Sequence, residues 1–482
     1  MKRLSIIILI FLFCHNLYAQ EQTAFSGSIY GGLSNVAVNP AFMTGGLYKW
    51  DLVLCGAHLN VDNNFIKIQG TNGIKLLSGS DNFQQAIAPT DLYASSADKP
   101  TVFQKNNNFN KTINAGFYVQ GPSVMYNYGT WSVALTTAFR GYSSVTKVED
   151  GSADRIFNYV WNSSENDNFG VPHAKINAMA WNEVAFGAAN RFYDKNNFVI
   201  KAGAMFKILS GYGASYLSNT TQAANYELNN DLLEYQNMEV DAGFALPNGF
   251  ENPLHRAQAY GFGVDLGISF EKRKTDNFGY ASRWKEEKEN QHQWKLGISL
   301  LDLGKISFRE GTYAYLIRDT VGNWDIDNFS NIENVNQLDR SVKESFYLAR
   351  RTFFSMSTPR ALSLQFDYNL GHHFFVNTTV VQNISRNDAS VVKRSNVLSV
   401  TGRYELPRFG VSVSTAFYNY NEPRIGVAFR LNNFLTIGTD NLLNTFGSAT
   451  SGMDLFFTLK LNSLLDCRKK IGRTAIPCSR KL

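Results

Sequence analysis

Strict alternation of apolar and polar residues over whole strand lengths is the feature that most constrains what this chain can fold into. The stretch YGFGVDLGISF (260–270) puts five apolar side chains on one face and small or acidic residues on the other. The stretches QWKLGISL (293–300), FGVSVSTAF (409–417) and MDLFFTLKL (453–461) repeat the pattern. A side-chain period of two predicts β-strands with one apolar and one polar face.

Two architectures produce such strands. A soluble sandwich buries the apolar faces between two sheets, whereas a transmembrane barrel turns them towards lipid and keeps polar residues inside. Spanning strands need about 9–11 residues, while soluble strands average about 5–6. The length of the alternating stretches therefore favours the barrel, and the sandwich remains the alternative.

The spacing of the strands adds a second argument. Long connections alternate with tight turns, as expected when long loops lie on the outer side of a membrane and short turns on the periplasmic side. The connections 272–291 and 420–422 depart from this rule. We predict an all-β fold, a transmembrane antiparallel β-barrel over 49–462 with about 14 strands. The strands are expected near 49–61, 112–122, 130–142, 179–193, 197–210, 258–271, 292–303, 360–370, 373–384, 395–405, 408–419, 423–431, 434–442 and 452–462.

The first 19 residues have the pattern of a secretory signal peptide. Lys2 and Arg3 precede the apolar run LSIIILIFLFC (4–14), and Ala19 offers a small residue for cleavage. No other apolar run in the sequence is long enough for a transmembrane helix. We expect 1–19 to direct the mature chain out of the cytoplasm.

The next segment, 20–48, is apolar but lacks a regular period. In VAVNPAFMTGG (36–46), the pair Asn39-Pro40 argues against a helix, since proline disfavours helical geometry in the residue before it. We interpret the segment as a hatch that plugs the lumen, where polar side chains can satisfy an irregular backbone; a loose periplasmic lead is the alternative. The predicted hatch residues are Val36, Val38, Asn39, Pro40, Ala41 and Phe42.

Charged and amide side chains fall on the polar faces of several predicted strands. They could line a pore or bind an anionic group, or form buried salt-bridge and hydrogen-bond networks that pack a narrow barrel. The predicted lumen residues are Glu183, Arg191, Lys201, Lys207, Asp265, Gln365 and Asp367.

The C-terminal 463–482 segment is predicted to be a basic periplasmic tail. The net charge of +6 is concentrated in the signal peptide and this tail, so the rest of the chain offers no basic face for nucleic acid. The tail contains Cys467 and Cys478, separated by a short stretch that includes Gly472 and Pro477. In the oxidising periplasm we predict a disulfide between these two cysteines. The other candidate partner, Cys55, lies in the first predicted strand.

Motifs for catalysis, metal binding and cofactor binding are absent from the sequence. It contains no HExxH, CxxC or GxSxG pattern. Its histidines are scattered, and His372-His373 falls in a predicted tight turn. We therefore predict no catalytic, metal or cofactor site, and no enzymatic activity.

Five motifs follow one another along the chain: NPAF, YKWDLVLCG, FVIKAGAMFKILSGYGASY (198–216), WKLGISLLDLGKISF (294–308) and PRALSLQFDYNL (359–370). In this order they resemble an uncharacterised family of Bacteroidota outer-membrane barrels of FadL/PorV-like type. The family looks like a branch of the FadL long-chain fatty-acid transporters and is similar in build to the PorP/SprF barrels of type IX secretion. The resemblance implies about 14 strands and an N-terminal segment folded inside the barrel.

Two functions follow from the resemblance and the residues. The first is a FadL-like outer-membrane channel for uptake of small hydrophobic molecules. The alternative is a protein-binding outer-membrane component of a secretion or surface-assembly system, motivated by the large loops and the basic tail. The expected partners are outer-membrane lipid, a hydrophobic small molecule, and periplasmic or surface proteins. Both termini are expected in the periplasm.

Overall fold

A computed structural model describes most of the region predicted to form the barrel. The described residues are 23–79, 100–105, 107, 109–149, 153–154, 173–220, 232–246, 256–257, 259–273, 292–325 and 335–464. The predicted signal peptide and the tail disulfide between Cys467 and Cys478 lie outside them and stay predictions.

The described strands form a large antiparallel sheet that closes on itself, together with a small three-stranded sheet. In chain order they are β1 (Tyr48–Asn63), β2 (Ile66–Gln69), β3 (Thr101–Gln104), β4 (Lys111–Gln120), β5 (Ser123–Tyr128), β6 (Trp131–Val148), β7 (Ala174–Lys195), β8 (Phe198–Asn219), β9 (Leu232–Ala245), β10 (Ala259–Arg273), β11 (His292–Phe308), β12 (Thr312–Asp325), β13 (Leu348–Arg351), β14 (Phe354–Ser357), β15 (Ala361–Gly371), β16 (Phe374–Asn383), β17 (Val397–Glu405), β18 (Phe409–Tyr418), β19 (Glu422–Leu431), β20 (Leu435–Thr439), β21 (Ala449–Thr450) and β22 (Gly452–Leu464).

Pairing of the last strand with the first closes the barrel. β22 pairs antiparallel with β1 along its length, for example Leu461 with Leu52 and Asp454 with Asn60. Within the described ranges the wall has about 14 strand positions, as such barrels allow. The second position is divided between β4 and β5, and the eighth between β14 and β15. The predicted fold class is confirmed, and every wall position falls on a predicted strand.

The two ends of the wall differ. At one end, called the short-turn end, β7 and β8 are joined through Asn196 and Asn197, both with positive φ, as a type I′ hairpin turn requires. His372 and His373 form a similar turn between β15 and β16. The opposite end, called the long-loop end, carries most of the longer connections. The connection between β10 and β11 lies instead at the short-turn end, and the short turn between β18 and β19 lies at the long-loop end, as the departures 272–291 and 420–422 predicted. The histidine pair therefore occupies a turn, as predicted.

Several connections between the predicted strands were wrong in part, because they contain strands. β8 continues to Asn219, and β9 and β12 lie in the connections 211–257 and 304–359. β2 and β3 lie in the connection 62–111, and β5 lies in the connection 123–129. Aromatic residues, which favour strands, recur in the extra segments, for example Tyr212, Tyr216, Tyr235, Tyr313 and Tyr315. The wall is consequently taller on the side formed by β6 to β12.

Short elements cover the long-loop end. β21, β2 and β3 form the three-stranded sheet, and Gly70 donates a backbone hydrogen bond to Ser448 beside it. None of the helices in the described ranges has the length and apolar composition needed to cross a membrane. The helices are the 3₁₀ turns Thr23–Phe25, Gly32–Asn35 and Pro40–Met43 and the α-helices Gly73–Ser78, Val335–Ser345 and Leu442–Phe446.

The outward face of the wall is apolar. Large aliphatic and aromatic side chains are exposed on strand after strand, with Phe262 at 63% and Val413 at 53%. The two faces of each strand therefore match the alternation in the sequence, apolar outside and polar or small inside. Further exposed apolar side chains include Leu135, Phe186, Phe206, Leu296, Phe366, Val400, Phe429, Ile437 and Leu461.

Candidate functional site

The chain from Thr23 to Leu47, called here the N-terminal segment, lies within the ring of wall strands. Its backbone runs through 3₁₀ turns, the last of which begins at Pro40. The expectation that Asn39-Pro40 excludes a helix was therefore too strong. Asn39 is extended (φ −158°) and caps the turn through its side chain, and proline is well tolerated as the first residue of a helical turn.

Basic side chains of the wall hold the N-terminal segment through its carbonyl groups. Each contact joins a charged donor to a main-chain acceptor, so it does not depend on the side chain of the segment residue. Lys295 Nζ donates to Gly27 O (3.2 Å), Arg403 Nη1 to Ser26 O (2.9 Å), and Lys460 Nζ to Tyr30 O and Gly31 O (3.0 Å each).

Acidic side chains of the wall accept hydrogen bonds from its N–H groups. Asp440 accepts from the N–H groups of Thr23 and Ala24 at 2.7 Å each. Asp51 accepts from Leu33 N at 2.9 Å. Charged groups on opposite sides of the lumen thus satisfy the buried irregular backbone, as such a backbone requires.

The side chain of Asn39 contacts several strands of the wall. Its Nδ2 donates to Gln365 Oε1 at 3.0 Å and lies 3.2 Å and 3.3 Å from the carbonyl oxygens of Ile268 and Ile298. Close packing beside it requires glycine in the wall. A Cβ built on Gly203 would lie 2.5 Å from the backbone oxygen of Pro40.

The predicted hatch residues pack against the wall. Ala41 is fully buried, and Phe42 lies under the Lys295 ammonium, 4.5 Å from its ring centroid. Val36 is buried and Val38 is half-buried. Val36 belongs to an apolar cluster in the half of the lumen nearer the short-turn end, called the lower apolar cluster. Its members are Leu33, Val36, Met43, Val53, Met125, Ala134, Ala185, Ala189 and Met205.

Further along the strands, towards the long-loop end, lies a cluster of buried charges from β6 to β11 and one loop, called the charged layer. It contains three of the predicted lumen residues and three residues that the sequence did not single out. The closest contacts are Lys207–Asp265 (2.6 Å), Lys207–Asp302 (2.7 Å), Arg140–Glu183 (2.7 Å), Arg140–Asp302 (2.8 Å) and Arg394–Asp302 (3.3 Å).

Asp302 reaches the lumen because of a β-bulge. The register of β11 against β10 shifts next to it, and its φ is +54°. A bulge re-aims the side chain of the inserted residue, so both Leu301 and Asp302 are buried inside. The sequence indicates this bulge only through the consecutive leucines at 300–301, which break the alternation of apolar and polar residues. Arg394 lies in a loop, where no alternation indicates which side chains face inward.

The remaining predicted lumen residues form separate groups. Lys201 pairs with Glu271 at 2.7 Å near the short-turn end. Asp367 is 2.8 Å from Arg403, which holds the N-terminal segment. Arg191 lies at the rim, 3.4 Å from Asp194. The predicted residues are thus buried or half-buried on the inner side, but they do not form one site.

A third group lies beside the start of the N-terminal segment. His58 Nε2 is 2.8 Å from Asp454 Oδ2, and ligand atoms of His58, Asp454 and Asp440 lie within 4.8 Å of one another. The contacts already present account for these side chains, because Asp440 holds the segment and Asp454 accepts from His58, Asn60 and the Asp440 N–H.

Beyond the charged layer lies a second apolar cluster, called the upper apolar cluster. It is formed by the inner faces of the tall strands. The members are Met179, Trp181, Leu209, Ala214, Tyr216, Ala245, Ala259, Ile306, Phe308, Ala314, Phe354, Met356 and Val392. Along the tall strands, the lumen therefore passes from an apolar region through a neutralised charged layer to another apolar region.

These features define a closed antiparallel β-barrel that is apolar outside and contains its own N-terminal segment. The chain belongs to DUF5723, described as a family of unknown function, whose family model matches residues 40–440. A comparison with curated proteins found no match.

The solved structures that this chain matches include a hydrocarbon channel, a toluene transporter and a FadL homologue, all at low identity. A deltaS2 mutant of the TodX monoaromatic hydrocarbon channel shares 9% identity at a TM-score of 0.42, covering 90% of this chain and 95% of that one. The Pseudomonas putida toluene transporter TodX shares 10% identity at a TM-score of 0.37, covering 88% of this chain and 91% of that one. A Pseudomonas aeruginosa FadL homologue shares 11% identity at a TM-score of 0.28, covering 88% of this chain and 91% of that one. The barrel itself follows from the strand pairing described above.

Proposed function

We propose that the protein is an integral outer-membrane channel for uptake of small hydrophobic molecules, held closed by its N-terminal segment. The main observation that supports the proposal is the apolar outer face of a closed barrel. Water would not stabilise so much exposed apolar surface, whereas a bilayer would, and closure leaves no unpaired strand edge in lipid.

Aromatic side chains near the short-turn end support a membrane boundary there. Tyr128 is 67% exposed and Trp131 is 55% exposed, and both lie beside the turn between β5 and β6. Phe192, Phe374 and Phe434 are exposed close to other turns at this end. Such aromatic girdles mark the interfaces of outer-membrane barrels. The proposal places the short-turn end, and both termini, in the periplasm.

The apolar side chains inside the lumen support a hydrophobic cargo. The upper and lower apolar clusters face inward, where a diffusion pore for polar solutes would be polar. The N-terminal segment fills the lower region, which accounts for closure. The proposal includes no catalytic step. The alternative, a protein-binding component of a secretion system, gains no support from the described contacts.

Two measurements test the proposal. Envelope fractionation followed by semi-native gels is expected to show an outer-membrane protein whose mobility shifts on boiling, as a folded barrel does. Cells that carry the protein in an outer membrane with intact lipopolysaccharide should then take up p-xylene faster than cells that lack it, because a phospholipid bilayer alone does not retard so apolar a molecule. A soluble periplasmic fraction without a mobility shift would contradict the membrane assignment, and equal uptake would contradict the channel.

A further inference from the structure

The loop between β16 and β17, residues 384–396, folds into the lumen and is called here the inward loop. Most of it is polar, but Val391 and Val392 at its centre are 3% and 0% exposed. Val392 packs within the upper apolar cluster. An apolar pair at the tip of a polar connection is therefore buried inside the barrel.

The surface that receives Val392, next to the buried Val391, is apolar and belongs to the wall. Trp181 lies on the same face of β7 as Glu183, and Leu209 lies on the same face of β8 as Lys207. Each is two residues nearer the long-loop end than the charged residue on its strand. Ile306 and Met356, both fully buried, complete it from β11 and β14. We call this surface, together with the space that the valines occupy, the upper recess. Its chemistry suits an apolar occupant.

The inward loop is held mainly by side-chain contacts to other elements. Its backbone pairing with named strands is a single isolated bridge, Ser357 with Val391. The loop could therefore withdraw without breaking the wall ladder. Its polar ties include Lys175 Nζ to Asn387 O (2.5 Å), Ser395 Oγ to Asp62 Oδ2 (2.8 Å), Asn114 Nδ2 to Ser395 Oγ (3.0 Å), Arg394 Nη2 to Asp302 Oδ2 (3.3 Å) and Lys393 N to Ser144 Oγ (3.4 Å). The two ends of the loop are also held, by Ile384 N to Arg360 O (3.2 Å), Asn383 Nδ2 to Arg394 O (3.0 Å) and Asn419 N to Asn396 O (2.7 Å).

We propose that the upper recess is the binding site for a small, uncharged, apolar molecule, and that Val391 and Val392 occupy it as an internal substitute when no such molecule is bound. This inference rests on the proposed channel function and names its binding site and ligand class. Binding requires the inward loop to leave the recess, so the ligand and the two valines compete for one surface.

The charged layer explains why the ligand is uncharged. Arg140, Lys207 and Arg394 already face Glu183, Asp265 and Asp302 next to the recess. A charged ligand would be buried without a partner of its own, which is unfavourable. The recess offers one hydrogen-bond donor, the indole N–H of Trp181, which has no acceptor among the described residues.

Cysteine accessibility tests the competition directly. Val392→Cys is made in a chain carrying Cys55→Ser, the protein is placed in nanodiscs, and labelling by a polar maleimide is followed with and without saturating p-xylene. Asp388→Cys, on the exposed part of the same loop, is the matched control, and the Cys55→Ser parent gives the background. Without p-xylene, position 392 should react at least ten-fold more slowly than position 388. With p-xylene, its rate should rise at least ten-fold while that of position 388 stays constant.

Two results would overturn the inference. Labelling at position 392 as fast as at position 388 without p-xylene would show that the valine does not occupy the recess. Continued protection in p-xylene, in protein that takes up p-xylene, would show that the ligand binds elsewhere and would leave the channel function standing. Ligand-dependent labelling without uptake would instead support the recess and contradict the channel.

Removing the competitor gives a second test in the full chain. The double change Val391→Ala and Val392→Ala should increase p-xylene uptake at low concentration several-fold. Val381→Ala, at a buried valine of β16 outside the recess, should leave uptake unchanged. Heat-modifiable mobility confirms that each variant is folded. Equal uptake by the folded double variant and the Val381→Ala variant would contradict the competition.

Discussion

The amide of Asn39 donates to the side-chain oxygen of Gln365 at 3.0 Å, joining residues 326 positions apart. The same amide lies within 3.3 Å of carbonyl oxygens of β10 and β11. One side chain of the N-terminal segment therefore contacts three neighbouring wall strands. A single substitution at Asn39 should therefore weaken the binding of the N-terminal segment to the wall.

Asn39→Ala is expected to loosen the N-terminal segment while the barrel still assembles. It removes a buried donor and leaves Gln365 without this partner, a loss of about 1–3 kcal/mol. Single-channel recordings in planar bilayers should show more frequent opening than wild type. Gln69→Ala, at an exposed amide of β2, is the control and should behave as wild type. Unaltered opening in the Asn39→Ala variant would contradict the proposed hold.

Gly203→Ala tests the close approach of the segment to β8. The added methyl group would lie 2.5 Å from the backbone oxygen of Pro40, so the segment must shift. Such overpacking costs about 1–3 kcal/mol. Limited proteolysis should cleave the N-terminal segment faster than in wild type. Gly402→Ala, whose Cβ meets nothing within 4 Å, is the matched change and should leave the cleavage rate unaltered. Equal rates for the two variants would refute the close contact.

Asp302→Asn should destabilise the barrel strongly. Asp302 faces Arg140, Lys207 and Arg394, all buried. Removing one partner of a buried ionic network costs about 3–5 kcal/mol, because charges remain without compensation. The temperature of the gel mobility shift should fall well below that of Asp388→Asn, which changes an exposed carboxylate. A shift temperature equal to that control would show that the charged layer contributes little.

The sequence predicted the wall well because alternation reports directly which face of a strand meets water. It also placed Glu183, Lys207 and Asp265 inside. It missed Asp302, since a bulge changes the phase of β11, and it missed Arg394, since a loop carries no period. It could not predict that Lys295, Arg403, Lys460 and Asp440 hold the N-terminal segment, because those contacts are made to its backbone and depend on strand order around the ring.

The extensions of β8, β9 and β12 were missed for a related reason. Strand length was judged against the thickness of a bilayer, but β8 continues beyond its pairing with β10 and then pairs with β9. Pairing between distant segments decided the strand ends, and a single sequence contains little information on it.

The central claim is that the N-terminal segment closes a channel through the barrel. Its most direct test is the conductance of single molecules in planar bilayers, comparing wild type with a chain lacking residues 21–46, after both have been shown to be heat-modifiable barrels. The account predicts a closed wild type and long-lived open steps in the deletion variant. An assembled deletion variant as closed as wild type would contradict it.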